Sequence, residues 1–277
     1  MPLPLSQRKS LRDNEEHLKN AHETIKSALG VDWTFEFDFD LITSKCKDTY
    51  VQESLGECFY KEVATSVAEC IAEQTKDEMI KEALLEANTN QKIIVAPNED
   101  KKFTQYWAYE FVNGDLRVHF RPSIANISDV KYFKLASVIP SPGVFSLPAR
   151  INLKENAEKF TEALEKAKEV TKMDWSYDES SLETVYPNIE PTYQERIGDI
   201  FSEIVTNICY NLATRSADAM VLEALQEIAP NAKIVFKFDS KQSDYWVWKF
   251  VGGDLVVSFK SICNTGDNSY LDFEKLL

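Results

Sequence analysis

The chain has 277 residues, a formal charge of −14, 44% hydrophobic and 12% aromatic residues. That is enough apolar material for one large globular core or two ordinary ones, and so acidic a chain repels phosphate backbones, which sets nucleic acid aside as a partner. No run approaches the roughly 18–20 apolar residues that span a bilayer, the opening MPLPLSQRKSLRDNEEH has no signal-peptide core, and five cysteines without a CxxC suit a reducing cytoplasm better than a disulfide framework or a zinc site.

In chain order, the elements come in two series. Ser10, Leu11, Asp13 and Asn14 match Asn152, Leu153, Glu155 and Asn156 at an offset of 142. Both read as helix starts, with Ser or Asn as N-cap and an acid three residues on. Leu11, Leu18, Ile25 and Leu29 then form an apolar stripe, as do Leu153, Phe160, Leu164 and Ala167. After Asp32-Trp33 the run TFEFDFDL alternates and predicts a strand. After Asp174-Trp175 the run SYDESSL alternates less well.

A long helical block follows, with stripes Leu55, Phe59, Val63, Val67 and Ile197, Phe201, Ile204, Ile208. Within it the offset slips to 141. Thr75 and Ser216 mark a break, and Thr75 with Glu78 makes a capping box for the next helix. Short strands at Lys92–Val95 and Lys233–Phe236 lead into the clearest signal in the chain. YWAYEFVNGDLRVHFR from Tyr106 returns at Tyr245 as YWVWKFVGGDLVVSFK. Asn113-Gly114 and Gly252-Gly253 between alternating runs predict type I′ hairpins, because both central residues need positive φ. That register pairs Trp107 with Phe120, Tyr109 with Val118 and Phe111 with Leu116 on one face. In the second hairpin it pairs Trp246 with Phe259, Trp248 with Val257 and Phe250 with Leu255. Both hairpins are followed by Asn-x-x-Asp-x-x-Tyr, at Asn126, Asp129, Tyr132 and Asn264, Asp267, Tyr270. That spacing suits an Asn/Asp cap with the tyrosine packed behind it.

The expected architecture is α+β, as two tandem repeats of one domain. Each packs helices on one face of an antiparallel sheet, in the order helix, strand, helix, helix, strand, hairpin, with the last three strands as a meander. The first repeat spans residues 1–135 and the second 151–277. The Pro-rich stretch 136–150 links them, with Val144 and Phe145 free to pack on a neighbour.

Catalytic chemistry finds little support. The glycines form no GxGxxG or P-loop, and DFDFDL lacks the Gly and Glu of an EF-hand, so no cofactor or metal is expected. His17, His22 and His119 all fall in the first half; His17 and His22, five apart, read as plain surface residues. The matched acids Asp32/Asp174, Glu53/Glu195, Asp77/Asp218, Glu82/Glu223 and Asp115/Asp254 have structural roles open to them. The leading expectation is a non-enzymatic tandem-domain binding protein whose acidic surface meets a protein partner, a basic one being favoured. The alternative is a carrier holding a small hydrophobic ligand between helix and sheet. Its cavity would be lined by Trp33, Trp107 and Tyr109 in one repeat and Trp175, Trp246 and Trp248 in the other. Close packing equally lets those rings fill a core. Third comes an enzyme with an inter-domain cleft, served by single-copy residues such as His119 or Cys46.

Overall fold

Positive φ at four turn residues sets both hairpins: 52° and 83° at Asn113 and Gly114, 62° and 93° at Gly252 and Gly253. The structure is a computed structural model and describes residues 3–46, 48–98, 100, 102–123, 126–270 and 272–277. Strand β3 (Trp107–Val112) pairs antiparallel with β4 (Asp115–Phe120) in the register that the turn dictates. Strands β7 (Trp246–Val251) and β8 (Asp254–Phe259) do likewise.

The remaining strands overturn the meander. β2 (Lys92–Pro97) pairs parallel with β4, and β1 (Thr34–Phe37) pairs parallel with β2, so the order is β1-β2-β4-β3. β5 (Ser176–Tyr177) and β6 (Lys233–Phe238) complete a second sheet in the order β5-β6-β8-β7. Each expected antiparallel sheet is thus mixed, and only its hairpin is antiparallel. Burial accounts for the order. Leu116, Val118 and Phe120 of β4 and Ile93 and Val95 of β2 are fully buried, so these purely apolar inner faces take the middle of the sheet. β3 suits the edge because its inward rings carry polar tips that need partners beyond the sheet. Trp107 Nε1 donates to the Asn126 carbonyl at 3.2 Å, and the Tyr109 hydroxyl donates to the carbonyl of Val130. On β7, Trp246 Nε1 donates to the Cys263 carbonyl at 2.7 Å and Trp248 Nε1 to Asn268 Oδ1 at 3.1 Å.

The helices start earlier than the expected caps. α1 (Leu5–Asp13) breaks at Asn14 into α2 (Glu15–Leu29), and α8 (Leu147–Glu155) breaks at Asn156 into α9 (Ala157–Thr171). Ser10 and Asn152 therefore lie inside helices, where they tie one helix to another. Ser10 Oγ accepts from the Gly56 amide and Asn152 Oδ1 from the Asp199 amide, each at 3.0 Å. The crossing is so close that a Cβ on Gly56 would fall 2.1 Å from the Ser10 carbonyl oxygen, and one on Gly198 2.2 Å from that of Asn152.

Carboxylate caps also override the alternation after each tryptophan. Asp38 accepts from the Leu41 amide at 2.9 Å, which ends β1 and starts α3 (Phe39–Lys45). Asp178 does the same through the Ser180 amide at 3.1 Å, starting α10 (Glu179–Val185). Short α4 (Thr49–Glu53) and α11 (Pro191–Gln194) precede the central helices. In the second unit the central helix is α12 (Ile197–Arg215). In the first, Gly56–Ala64 winds as a π-helix and runs into α5 (Thr65–Gln74). Phe59 and Val67 lie eight positions apart while Phe201 and Ile208 lie seven apart, and all four are fully buried. The wider winding takes up the extra residue and keeps both ends of the stripe facing the sheet. Phe59 packs on Phe120 with centroids 5.5 Å apart, Phe201 on Phe259 at 6.0 Å.

Helices α6 (Glu78–Ala87) and α13 (Ala219–Ile228) are capped by Asp77 and Asp218, and the expected Thr75 capping box does not form. Thr75 Oγ1 bonds back to the Ile71 carbonyl at 2.7 Å instead. The chain divides into compact units at Met1–Pro140 and Ser141–Leu277. All of α7 (Leu135–Val138) but its first residue, and the start of α8, fall inside the stretch expected to be a linker. Phe145 packs edge-on against Tyr186, 5.0 Å between centroids. In both units the inward residues of the two central strands are mostly buried, those of edge strands β3 and β7 are half-buried after the first tryptophan, and the outward ones stay mostly half-exposed.

Candidate binding surfaces

Four of the six aromatics expected to line a ligand cavity, Trp33, Trp107, Trp175 and Trp246, are buried; Tyr109 and Trp248 are half-buried. The hairpins bring Trp107 together with Tyr109, and Trp246 with Trp248, on the inner face of an edge strand. Trp107 packs on Phe120 at 5.6 Å, Trp246 on Phe259 at 5.3 Å, and Tyr109 stacks on Phe133 at 3.8 Å. Burial pushes the Tyr109 hydroxyl far above its usual pKa. The indole N–H groups of Trp33 and Trp175 are buried without an acceptor among the described residues. Three surface concavities lie elsewhere: between α2 and α5, between α9 and α12, and over the outward face of the second sheet.

The matched acids mostly take part in scaffolding. Asp32 pairs with Lys26 and Asp174 with Lys168. Asp77 and Asp218 are the caps described above. Asp115 and Asp254 accept from Asn90 and Asn231, each at 3.0 Å, and those same amides donate to the turn carbonyls of Asn113 and Gly252. Glu53, Glu82, Glu195 and Glu223 lie exposed on the helical side.

His22 departs from the surface reading. Its Nε2 accepts the Phe35 amide at 3.2 Å and its ring stacks on Phe35, which fixes α2 to β1. Burial lowers its pKa below the ordinary 6.5, so the neutral acceptor form is favoured. His119 Nε2 lies 2.7 Å from Glu110 Oε1 on the outward face. Cys46, Cys58 and Cys209 are buried, and Cys70 and Cys263 are partly exposed. Burial pushes the Cys58 and Cys209 thiols up to about 12, and for Cys58 the nearby acids add to the rise.

Two tyrosines contradict the packed cap expected after each hairpin. Asn126 and Asn264 both take φ of 54° and lead into 3₁₀ turns at Ile127–Lys131 and Thr265–Tyr270. Asn126 makes no side-chain cap bond. The tyrosines point away from the core, Tyr132 being 74% and Tyr270 80% exposed. Unlike Trp107/Trp246 or Asp77/Asp218, these rings serve no core in either unit. Each stands three residues after an acid, Asp129 or Asp267.

The outward sheet faces differ in chemistry although the strand registers match. In the first unit, Glu36 pairs with Lys92 at 2.6 Å and Glu110 with His119, while Arg121 lies over Tyr106 at 4.3 Å. In the second, the register sets out three rows across β6, β8 and β7: Lys237–Ser258–Val247, Val235–Val256–Lys249 and Lys233–Asp254–Val251. A concavity of about 410 Å³ covers the first row, Val256 and Lys249 of the second and Val251 of the third. Its wall is the loop carrying Asp239, Gln242, Ser243 and Asp244, and Gln242 Nε2 pins that loop by donating to the carbonyls of Asp244, Tyr245 and Ser258. Position-by-position comparison of outward strand residues marks this face, since Ala96 and Glu110 stand where the second unit has Lys237 and Lys249.

Comparison with protein families, curated proteins and solved structures finds no match for this chain. Among the described residues no helix is long and apolar enough to cross a membrane.

Proposed function

We propose that the chain is a non-enzymatic binding protein of the cytoplasm, built from two duplicated units, that docks a basic protein partner on its acidic surface through Tyr132 and Tyr270. The matched exposure of these two rings carries the reading. A tyrosine held in water at the same place in two units, with no part in either core, is suited to recognition, and tyrosine is enriched where interfaces concentrate their energy. The acid three residues before each ring and the exposed run Glu78, Glu82 and Glu86 on α6 favour a partner rich in Arg or Lys. At Tyr270 an arginine of that partner gains both a carboxylate and an aromatic face, whereas at Tyr132 it must displace Lys131, whose ammonium lies 5.1 Å from the ring centroid. Two such sites on one chain raise avidity if one partner spans both.

The test is affinity capture with the intact chain beside a Y132A/Y270A variant, at low and high salt, with retained proteins identified by mass spectrometry. A basic protein held by the parent chain, lost with the variant and released by salt is the expected result. Identical capture by both proteins would sink the reading.

A further inference from the structure

We infer that matched residues of the two central helices position Tyr132 and Tyr270, and that only the Tyr270 hold is ionic. Salt therefore loosens the segment bearing one ring and leaves the other fixed. The inference rests on the docking role proposed above, whose regulation it describes. The positioning residues are Cys70 and Gln74 on α5, and Asn211 and Arg215 on α12. They match at the offset of 141 that also relates Thr75 to Ser216. A spacing of four puts each pair on one helix face, a turn apart, and Gln74 and Arg215 each end their helix.

In the first unit the Cys70 thiol is shared between the carbonyls of Lys131 and Phe133, at 3.3 and 3.6 Å, the residues on either side of Tyr132. Gln74 Nε2 donates to the same Phe133 carbonyl at 2.8 Å, and Gln74 Oε1 accepts the Leu135 amide at 2.8 Å. Burial raises the Cys70 pKa, so every group in this hold is neutral. In the second unit Asn211 Nδ2 donates to the carbonyls of Asn268 and Ser269, at 3.3 and 2.8 Å, just before Tyr270. Beyond Tyr270 the hold is made of charges. Arg215 Nη1 lies 3.4 Å from Asp272 Oδ1 and 2.9 Å from Glu274 Oε1, and Lys275 closes on Asp272 at 2.9 Å. The Arg215, Asp272 and Glu274 side chains are 35, 31 and 47% exposed, so dissolved ions reach and screen them. Neutral hydrogen bonds escape that screening. A ring whose backbone is already ordered loses less freedom on docking, which makes Tyr270 the salt-dependent site of the two.

The test is hydrogen–deuterium exchange of the intact chain, read by mass spectrometry at one pH in about 50 and about 500 mM sodium chloride. Peptides carrying Tyr270 should exchange about threefold or more faster at high salt, and those carrying Tyr132 should not change. R215Q should exchange fast at low salt and lose most of the salt response, and R215K, which keeps the charge, should restore it. Q74A should speed exchange around Tyr132 about threefold or more at both salt levels. Peptides from β2 and β6 should stay unchanged in every variant, confining the effect to the tyrosine segments. The proposal is overturned if the Tyr270 peptides ignore salt, if both segments respond to it equally, if Q74A leaves Tyr132 unchanged, or if R215Q exchanges as the parent does or speeds β6 equally. No partner is present, so the outcome is separate from that of the Y132A/Y270A capture: unmoved exchange sinks the hold, and identical capture sinks the docking role.

Discussion

At Gly56 and Gly198 a single missing methyl group sets the distance between two helices. An added Cβ would fall within 2.2 Å of a backbone oxygen, which no side-chain rotation relieves. G56A and G198A should each lower stability by about 1–3 kcal/mol or more in urea unfolding. G143A, in open space, should leave it unchanged. His22 gives a pH-dependent counterpart. Its folded pKa lies below the unfolded 6.5, so the stability it brings is complete above about pH 6.5 and is lost as pH falls through the folded value. The gap in melting temperature between the parent and H22A should therefore be wider near about pH 7.5 than near about pH 5. A gap that is constant or widens in acid would show that His22 is not held neutral. Residues of this kind are only partly legible in a sequence. Asn113-Gly114 announces its conformation because few residues tolerate positive φ. Spacing alone could not tell that His22 accepts an amide, or that Tyr132 and Tyr270 face water.

The elements show where periodicity stops informing. Alternation identified the strands and the turn fixed the hairpin register, but alternation is the same in parallel and antiparallel pairs, so it could not place β2 beside β4. The competing caps were also hidden: Asp38 and Asp178 end alternating runs by accepting one amide each. The one-residue slip in offset was visible, and its structural form is the π-winding at Gly56–Ala64. Deleting exposed Lys61 should restore seven-residue spacing between Phe59 and Val67, leaving a folded unit with little loss of stability. Deleting exposed Glu203 from α12 should turn Ile208 and Leu212 away from the core by about 100°, costing several kcal/mol as buried apolar groups are lost. Thermal melts of the two deletions side by side decide the matter, and equal damage would show that the π-winding does not absorb an insertion.

At the scale of the whole molecule, each unit encloses its own buried apolar residues, from Ala21 to Ile139 in the first and from Leu147 to Phe273 in the second. Expressed separately, Met1–Pro140 and Ser141–Leu277 should each unfold cooperatively, with circular dichroism spectra that sum to that of the full chain. A fragment that melts without a transition would show that its unit depends on the other. The unbridged cysteines extend this to the undivided chain. Cys46 and Cys58 sit deep in one unit and Cys209 in the other, and the Cys58 and Cys209 thiols are held far from the reactive thiolate form. An alkylating reagent reaches such a thiol only when its surroundings open. Pulse alkylation read by peptide mass spectrometry can thus time the opening of each half of the natural chain in a single tube, with the partly exposed Cys70 and Cys263 reacting first as internal clocks.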